Sequence, residues 1–252
     1  MLVLLPPSET KRDGGVEGSA LDLGQLSFPA LGPQRAATLA ALARLSRSVS
    51  ASNTSLGLGP TQRFEIDRNR SVRSSPAMPA IDRYTGVLYD GLDAATLGSD
   101  ARAWLGRNVA IHSALFGLVA ALDPLPAYRL SHNSKLERIS LKRHWADAVA
   151  LQLAVHDGLI LDLRSEAYVH LGPAPVRDGS HYVRVVSATS DGATRALNHF
   201  NKKGKGELVR ELALAGVEPE TLDELLEWAA SRGIRLERRV EPGGRGELYL
   251  VV

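Results

Sequence analysis

Three of the six lysines in the chain lie between Lys202 and Lys205. Their segment, residues 201–206, reads NKKGKG, and its glycines would let the backbone come close to a partner. A helix beginning there would offer free N–H groups and the positive end of its dipole to phosphate. The segment therefore predicts nucleic-acid backbone contacts through a helix-hairpin-helix-like element over 194–232, whose first helix would span 194–200. A solvated surface turn is the alternative.

The formal net charge of +2 is unevenly distributed along the chain. Segments 129–144 and 195–210 each carry five basic residues and one acid, whereas segment 211–227 carries six acids and no base. Because a partner meets the local field, the two basic segments predict binding to double-stranded or branched DNA. The residues expected to contact DNA are Asn201, Lys202, Lys203, Gly204, Lys205, Gly206, Arg210, Arg129, Lys142 and Arg143.

A second kind of site is predicted where apolar segments end in polar residues. Residues 2–5 read LVLL and stop at two prolines, so a buried strand would deliver the following polar residues into a loop. A polar pocket at strand ends suits a nucleotide, a nucleobase or another phosphorylated small molecule. Its predicted lining is Ser8, Thr10, Lys11, Tyr89, Ser113, Ser165 and Tyr168. The candidates for catalysis are Thr10, Lys11, Arg129, Tyr168 and Lys203.

Both readings stay open at this point, because a turn and a helix cap would equally explain Ser8 and Thr10. Convergence of the five catalytic candidates in one pocket would favour an enzyme. A position of Lys203 on an open basic groove, away from the other four, would favour DNA binding.

The residue types that are missing or scattered exclude several functions. The chain has no cysteine, which excludes disulfides, thiolate catalysis, zinc ribbons and cysteine-ligated iron–sulfur clusters. Direct iron binding is a further alternative and would need His and carboxylate ligands, ideally two His and one acid on one face. The seven histidines form no His-x-x-x-His pair, so we expect single satisfied or surface histidines and no metal site. We also expect no cofactor. The short apolar start and the absence of an apolar run of about 20 residues predict a cytoplasmic protein without a membrane partner. We also expect a monomer.

The elements that position these residues alternate between strands and helices. Buried strands are predicted near 2–5, 108–115, 158–163 and 181–187, and helices over 34–48, 99–107, 141–155, 207–215 and 221–231. Residues 49–62 are predicted as a loop, 81–92 as strand and turn, and 234–252 as a β-hairpin. The pattern favours an α/β fold over residues 1–252, a single domain with a mixed β-sheet flanked by helices.

Several segments together resemble the YaaA peroxide-stress protein family. They are LVLLPPSETK (2–11), GVLYDGL (86–92), HSALFGLVAALDPLPAYRL (112–130), His144-Trp145 with Asp147, LRSEAY (163–168) and NKKGKGELVR (201–210). The family pattern falls on Thr10, Tyr89, Gly91, Ser113, Leu115, Gly117, Tyr128, Arg129, Leu130, Trp145, Ser165, Tyr168, Lys203 and Gly206. Core packing is the alternative explanation for Trp145. Where many relatives have Arg-Pro-Leu-Asp, this chain has Ala-Ala-Leu-Asp at 120–123, so one cationic contact is missing or supplied elsewhere.

The resemblance implies a cytoplasmic protein that helps cells survive hydrogen peroxide by keeping free iron low. It also implies one compact α/β body with a basic cleft, a helix-hairpin-helix-like element and the capacity to bind double-stranded DNA.

Overall fold

The computed structural model describes residues 1–188, 194–196, 198–240 and 246–252. In these ranges the strands are β1 Leu2–Leu5, β2 Met78–Pro79, β3 Val109–Ser113, β4 Gly117–Ala120, β5 Pro124–Leu125, β6 Ile160–Asp162, β7 Ser180–Ala188, β8 Thr194–Ala196, β9 Arg235–Val240 and β10 Gly246–Val251. The helices are α1 Gly32–Leu45, α2 Val49–Leu56, α3 Phe64–Arg70, α4 Ala80–Arg83, α5 Val87–Leu92, α6 Ser99–Asn108, α7 Leu141–Ala154, α8 Glu166–Val169, α9 Asn198–Ala215 and α10 Leu222–Ser231. Short 3₁₀ turns lie at Leu23–Gln25, Pro29–Leu31, Pro60–Gln62 and Ala94–Thr96.

One mixed sheet organises the described chain in the order β4-β3-β1-β6-β7-β10-β9, with β8 paired to β7. Strand β1 lies between β3 and β6 and is parallel to both. Strand β7 is parallel to β6 and to β10, while β4 and β9 pair antiparallel at the two ends of this order. The predicted α/β class, the mixed sheet with flanking helices and the C-terminal β-hairpin are confirmed.

The core forms where apolar strands meet helix faces. All residues of β1 and β3 are buried, as expected for parallel strands covered on both sides. Helix α7 presents Trp145, Val149 and Leu153 to this core at a spacing of four residues, which places them on one face. The indole N–H of Trp145 donates to the carbonyl of Ala114 at 2.9 Å. Core packing therefore accounts for Trp145.

Helices α5 and α9 pack so closely that two glycines are required at the contact. A Cβ on Gly206 would lie 2.0 Å from the carbonyl oxygen of Leu88, and one on Gly91 would lie 2.7 Å from that of Lys203. These distances are far below normal van der Waals contact. The two glycines, both in the family pattern, therefore serve helix packing.

The predicted glycine hairpin at 201–206 is wrong. These six residues lie inside α9, a single helix of 18 residues, and the predicted first helix falls partly on strand β8. The glycines favoured a turn, but burial of Gly204 and Gly206 against neighbouring elements compensates for the low helix propensity of glycine.

Two local predictions are also wrong. Residues 49–56 form α2 rather than loop, because the Ser48 side chain accepts a hydrogen bond from the amide of Ala51 and so caps the helix. Residues 80–83 and 87–92 form α4 and α5 rather than a strand and turn. The left-handed Gly86, with φ of 103°, separates the two helices. Residues 241–245 of the predicted β-hairpin, including Gly243 and Gly244, lie outside the described residues.

Candidate functional site

The carboxyl ends of β1, β3 and β6 meet at one edge of the sheet. The chain leaves the central β1, returns as β3 on one side and later as β6 on the other, so the strand order reverses at β1. In open α/β sheets this reversal point is where ligands bind. We call the polar residues gathered there the strand-end cluster: Ser8, Glu9, Thr10, Lys11, Tyr84, Tyr89, Ser113, Tyr128, Arg129, Ser131 and Tyr168.

Lys11 forms the floor of the strand-end cluster and is only 5% exposed. Its Nζ donates to the backbone carbonyls of Ser8 at 2.9 Å and Glu9 at 3.2 Å. The same atom lies 4.2 Å from the ring centre of Tyr128 and 5.3 Å from that of Tyr84. Burial, with the nearby positive charge of Arg129, lowers the pKa of Lys11 to about 7, although the carboxylate of Glu65 opposes this shift. The amine can therefore exchange a proton near neutral pH.

Arg129 is buried beside Lys11 and is held by main-chain and side-chain contacts. Its backbone N–H and C=O pair with the side-chain amide of Asn69 at 2.8 and 2.9 Å. Its Nη2 contacts the Glu9 carboxylate at 2.8 Å, while its Nε–H has no acceptor among the described residues. Partial burial raises the pKa of Glu9, but the hydrogen bond and charge of Arg129 outweigh burial and lower it overall. Glu9 is thus an ionised carboxylate occupying part of a cationic site.

Three hydroxyl groups form a hydrogen-bonded chain. The Ser113 Oγ accepts hydrogen bonds from the amides of Leu115 and Phe116, both at 3.0 Å. Its own proton is then directed to the Tyr128 hydroxyl at 2.6 Å, and the Tyr128 and Tyr84 hydroxyls share a hydrogen bond at 2.7 Å in which either oxygen can donate. Burial raises the pKa of Tyr84 and Tyr128, so both phenols stay protonated. The chain ends at the Tyr84 hydroxyl, which is buried.

The rim of the cluster is more exposed than its floor. The Thr10 hydroxyl pairs with Ser8 at 3.2 Å and receives a hydrogen bond from Thr85 at 2.9 Å. The Tyr89 hydroxyl donates to the carbonyl of Pro6 at 2.8 Å, which fixes α5 against the loop after β1. A cavity of about 80 Å³ adjoins this rim and shares Tyr84 and Tyr89 with the cluster. Asp82, Asp90 and Asp93 also line this cavity, together with Arg12, so its charge does not favour a phosphate.

Comparison with known proteins gives the family of this chain. The family model described as Peroxide stress protein YaaA matches residues 1–238. The chain belongs to the YaaA peroxide stress protein family. It is 42% identical to a UPF0246 protein of Corynebacterium glutamicum and 43% identical to one of Corynebacterium efficiens, with all of each chain covered. It is 39% identical to a UPF0246 protein of Streptomyces coelicolor, over 97% of this chain and 95% of that protein.

Four of the five predicted catalytic candidates lie in the strand-end cluster, and Lys203 does not. Thr10, Lys11 and Arg129 are joined through Ser8 and Glu9. Burial raises the pKa of Tyr168 beside them, and the negative charge of Glu9 adds to this rise. Lys203 is exposed on α9 and pairs with Glu207 at 3.1 Å. No hydrogen bond or ion pair among the described residues joins it to the other four. Of the predicted pocket lining, Ser165 is exposed at the start of α8, and the remaining six residues belong to the cluster.

The predicted DNA contacts divide into exposed and buried residues. Lys202, Lys203, Lys142 and Arg143 are exposed. Lys205 is buried and donates from Nζ to the carbonyl of Leu163 at 3.0 Å, and burial lowers its pKa to about 8. Arg210 donates to the carbonyls of Leu92 and Asp93 at the end of α5, both at 2.9 Å. The other predicted contacts are half-buried Asn201, buried Gly204 and Gly206, and Arg129 in the cluster.

Sequence reasoning missed Glu9, Tyr84 and Ser131 as members of the cluster. Glu9 lies between two predicted residues, so the chain itself offered a signal for it. Tyr84 is placed in the cluster by an isolated antiparallel β-bridge between its backbone and that of Lys11. The two residues are 73 positions apart in the sequence, so no local sequence pattern indicates this pairing. Among the described residues, no group of three or more His, Asp or Glu side chains is arranged to hold a metal ion, and no helix could span a membrane.

Proposed function

We propose that this protein acts in the peroxide stress response by binding a phosphorylated or otherwise anionic small molecule in the strand-end cluster. Lys11 would serve as the proton-transferring group and Arg129 as the anion contact. The observation that carries the proposal is the convergence of Thr10 and Lys11, Arg129, and Tyr168, from three separate segments, at the point where the strand order reverses. Family membership supports the peroxide-stress role.

The chemistry of the cluster supports an anionic ligand. Two cations, Lys11 and Arg129, lie on its floor, and the Nε–H of Arg129 is a buried donor without an acceptor among the described residues. Leaving such a donor unpaired costs about 1–3 kcal/mol, so an anion that accepts from it gains that amount on binding. A lysine that titrates near neutrality can give or take a proton from the bound molecule.

A thermal-shift screen tests this proposal. The panel contains inorganic phosphate, ribose 5-phosphate and the ribonucleoside 5′-monophosphates, and a ligand at one hundred times its Kd should stabilise the fold by about 2.7 kcal/mol. We expect at least one compound to raise the Tm of the wild type and not that of Arg129→Gln. Arg107→Gln is the matched control, because Arg107 lies just before β3, at the opposite end of that strand. Absence of any shift across the panel would contradict the proposal.

Glu9→Gln supplies a variant with the opposite expected effect. Glu9 is a largely exposed carboxylate that pairs with Arg129, so it competes with any anion for that guanidinium. Its amide replacement keeps the size and removes the charge, and it should tighten binding of the same compound severalfold. A weaker affinity in Glu9→Gln would mean that Arg129 is not the anion contact.

DNA binding that helps to limit iron-dependent oxidative damage is the second candidate. Two observations favour it: Lys203 lies apart from the other four catalytic candidates, and the set of predicted contacts includes four exposed cations, Lys202, Lys203, Lys142 and Arg143. Without the glycine hairpin, these side chains would contact phosphates as separate point charges. Such binding is independent of base sequence and depends steeply on salt.

Anisotropy titrations with duplex and branched DNA test the second candidate. Two to four phosphate contacts should give a log–log salt slope of about −2 to −4. The pair Lys202→Ala/Lys203→Ala should reduce the slope by about 2, and the pair Lys142→Ala/Arg143→Ala should do the same if both segments touch one duplex. No binding to duplex or branched DNA at about 50 mM salt would exclude this candidate.

A further inference from the structure

His112 is the fully buried histidine near the carboxyl end of β3, one residue before Ser113 of the strand-end cluster. Its Nδ1 lies 2.8 Å from Nη1 of Arg164. A guanidinium keeps all its protons in proteins and can only donate, so Nδ1 must be the acceptor. The ring proton of His112 is therefore on Nε2.

Arg164 is itself held in one orientation. It pairs with both carboxylate oxygens of Asp162, from Nε at 2.8 Å and from Nη2 at 2.6 Å. Its Nη1 also donates to the carbonyl of Gly172 at 2.8 Å. All three side chains are essentially excluded from solvent. This arrangement leaves the guanidinium no alternative position and fixes the tautomer of His112.

His112 is also held neutral. Burial, and next the positive charge of Arg164, lower its pKa well below the usual value. With Nδ1 occupied by Arg164 and Nε2 already protonated, the ring cannot act as a base near neutral pH. Its remaining capacity is to donate one hydrogen bond from Nε2–H.

The Nε2–H of His112 has no acceptor among the described residues, although the ring is completely buried. Unpaired buried donors are rare in native proteins, because each costs about 1–3 kcal/mol. The ring lies against Tyr168 of the strand-end cluster in an edge-to-face contact, with 5.8 Å between ring centres. A neutral donor with a fixed tautomer therefore belongs to a ring that contacts a residue of the candidate site.

We propose that His112 is a binding residue of the strand-end cluster, which donates from Nε2–H to an oxygen of the bound molecule, and that Asp162 and Arg164 are positioning residues that fix its tautomer. This inference rests on the proposed small-molecule function and adds one feature to the ligand. Besides an anionic group for Arg129, the ligand presents an acceptor oxygen to a neutral donor. A carbonyl or phosphoryl oxygen meets this requirement.

The first arm of the test needs no ligand. Long-range ¹H–¹⁵N NMR spectra of the uniformly labelled protein should show an unprotonated Nδ1 and a protonated Nε2 for His112, unchanged between pH 5 and pH 9. A proton on Nδ1, or a titration of the ring within this range, would overturn the inference and leave the proposed function intact.

The second arm uses the compound that gives the largest thermal shift among phosphate, ribose 5-phosphate and the nucleoside monophosphates. Saturation of the wild type should shift the Nε2–H resonance of His112. His112→Leu should weaken binding at least tenfold, and His112→Gln, whose amide can still donate, should retain more affinity than His112→Leu.

Two results of the second arm would overturn the inference. An unmoved resonance, with equal affinity in both variants and only a lower Tm, would mean that His112 is structural. If no compound in the panel binds, the proposed function fails, and a fixed tautomer in the first arm then assigns Asp162, Arg164 and His112 to the core alone.

Discussion

At the residue scale, the candidate site depends on charges that the fold has removed from water. Lys11 is almost fully buried and is stabilised by two carbonyls and two aromatic rings rather than by a close carboxylate. These contacts replace only part of the stabilisation that water gives to a charged ammonium group. Burial is therefore the largest cause of the lowered pKa of Lys11. The same burial that costs stability gives the amine a reactivity that an exposed lysine does not have near neutral pH.

The pKa of Lys11 predicts a specific dependence of stability on pH. Because this pKa falls to about 7 in the folded state, from 10.5 in an unperturbed lysine, the unfolded chain binds more protons between these values. The free energy of unfolding should therefore rise with pH from about 7 to about 10, by at most about 1.4 kcal/mol per pH unit from this group. Lys11→Met should show a correspondingly smaller slope in denaturant titrations between pH 7 and pH 9.

Comparing how the free energy of unfolding changes with pH in the wild type and in Lys11→Met separates the contribution of Lys11 from that of the other titrating groups. Lys205, whose pKa is also lowered, contributes in both proteins and cancels. Lys135→Met, at an exposed lysine, serves as the control and should keep the wild-type slope. Equal slopes in the wild type and Lys11→Met would show that Lys11 keeps an ordinary pKa.

At the element scale, sequence patterns predicted the strands that carry the site better than the helices that cover it. Strands β1, β3 and β6 were readable, because each is an apolar run that ends in polar residues. Helix α5 and the first half of α9 were not, because their glycines imply turns when only local propensity is considered. Packing of the two helices against each other stabilises their helical conformation. Because they are far apart in the sequence, a local sequence pattern cannot predict this contact.

The close contact between α5 and α9 predicts that adding a single methyl group at Gly206 strongly lowers the stability of the fold. Gly206→Ala would place a Cβ 2.0 Å from the carbonyl of Leu88, so the helices would have to separate. We expect a loss of at least about 2 kcal/mol in the free energy of unfolding. Gly32→Ala is the matched control: this helical glycine has no atom near its missing Cβ, and its replacement should be neutral or stabilising. Equal stability of Gly206→Ala and Gly32→Ala would contradict the close contact between α5 and α9.

At the scale of the whole molecule, the fold separates basic residues that the sequence predictions placed in overlapping sets, since Arg129 and Lys203 were candidates for both catalysis and DNA contact. Lys11 and Arg129 are buried in the strand-end cluster, while Lys202 and Lys203 are exposed on α9. Charge counting along the chain could not make this distinction, because burial depends on how distant segments pack. The two sets correspond to the two candidate functions, a small-molecule site and a DNA-binding surface. Variants of each set can therefore be compared in one cellular assay.

Survival of hydrogen peroxide in a bacterium lacking its own family member tests the central claim most directly. The wild type, Arg129→Gln, Arg107→Gln and Lys202→Ala/Lys203→Ala are expressed at equal abundance, with Tm values measured on the purified proteins. The strand-end cluster as the functional site predicts rescue by all except Arg129→Gln. Full rescue by Arg129→Gln, together with failure of the double lysine variant, would contradict this account and assign the function to the DNA-binding surface.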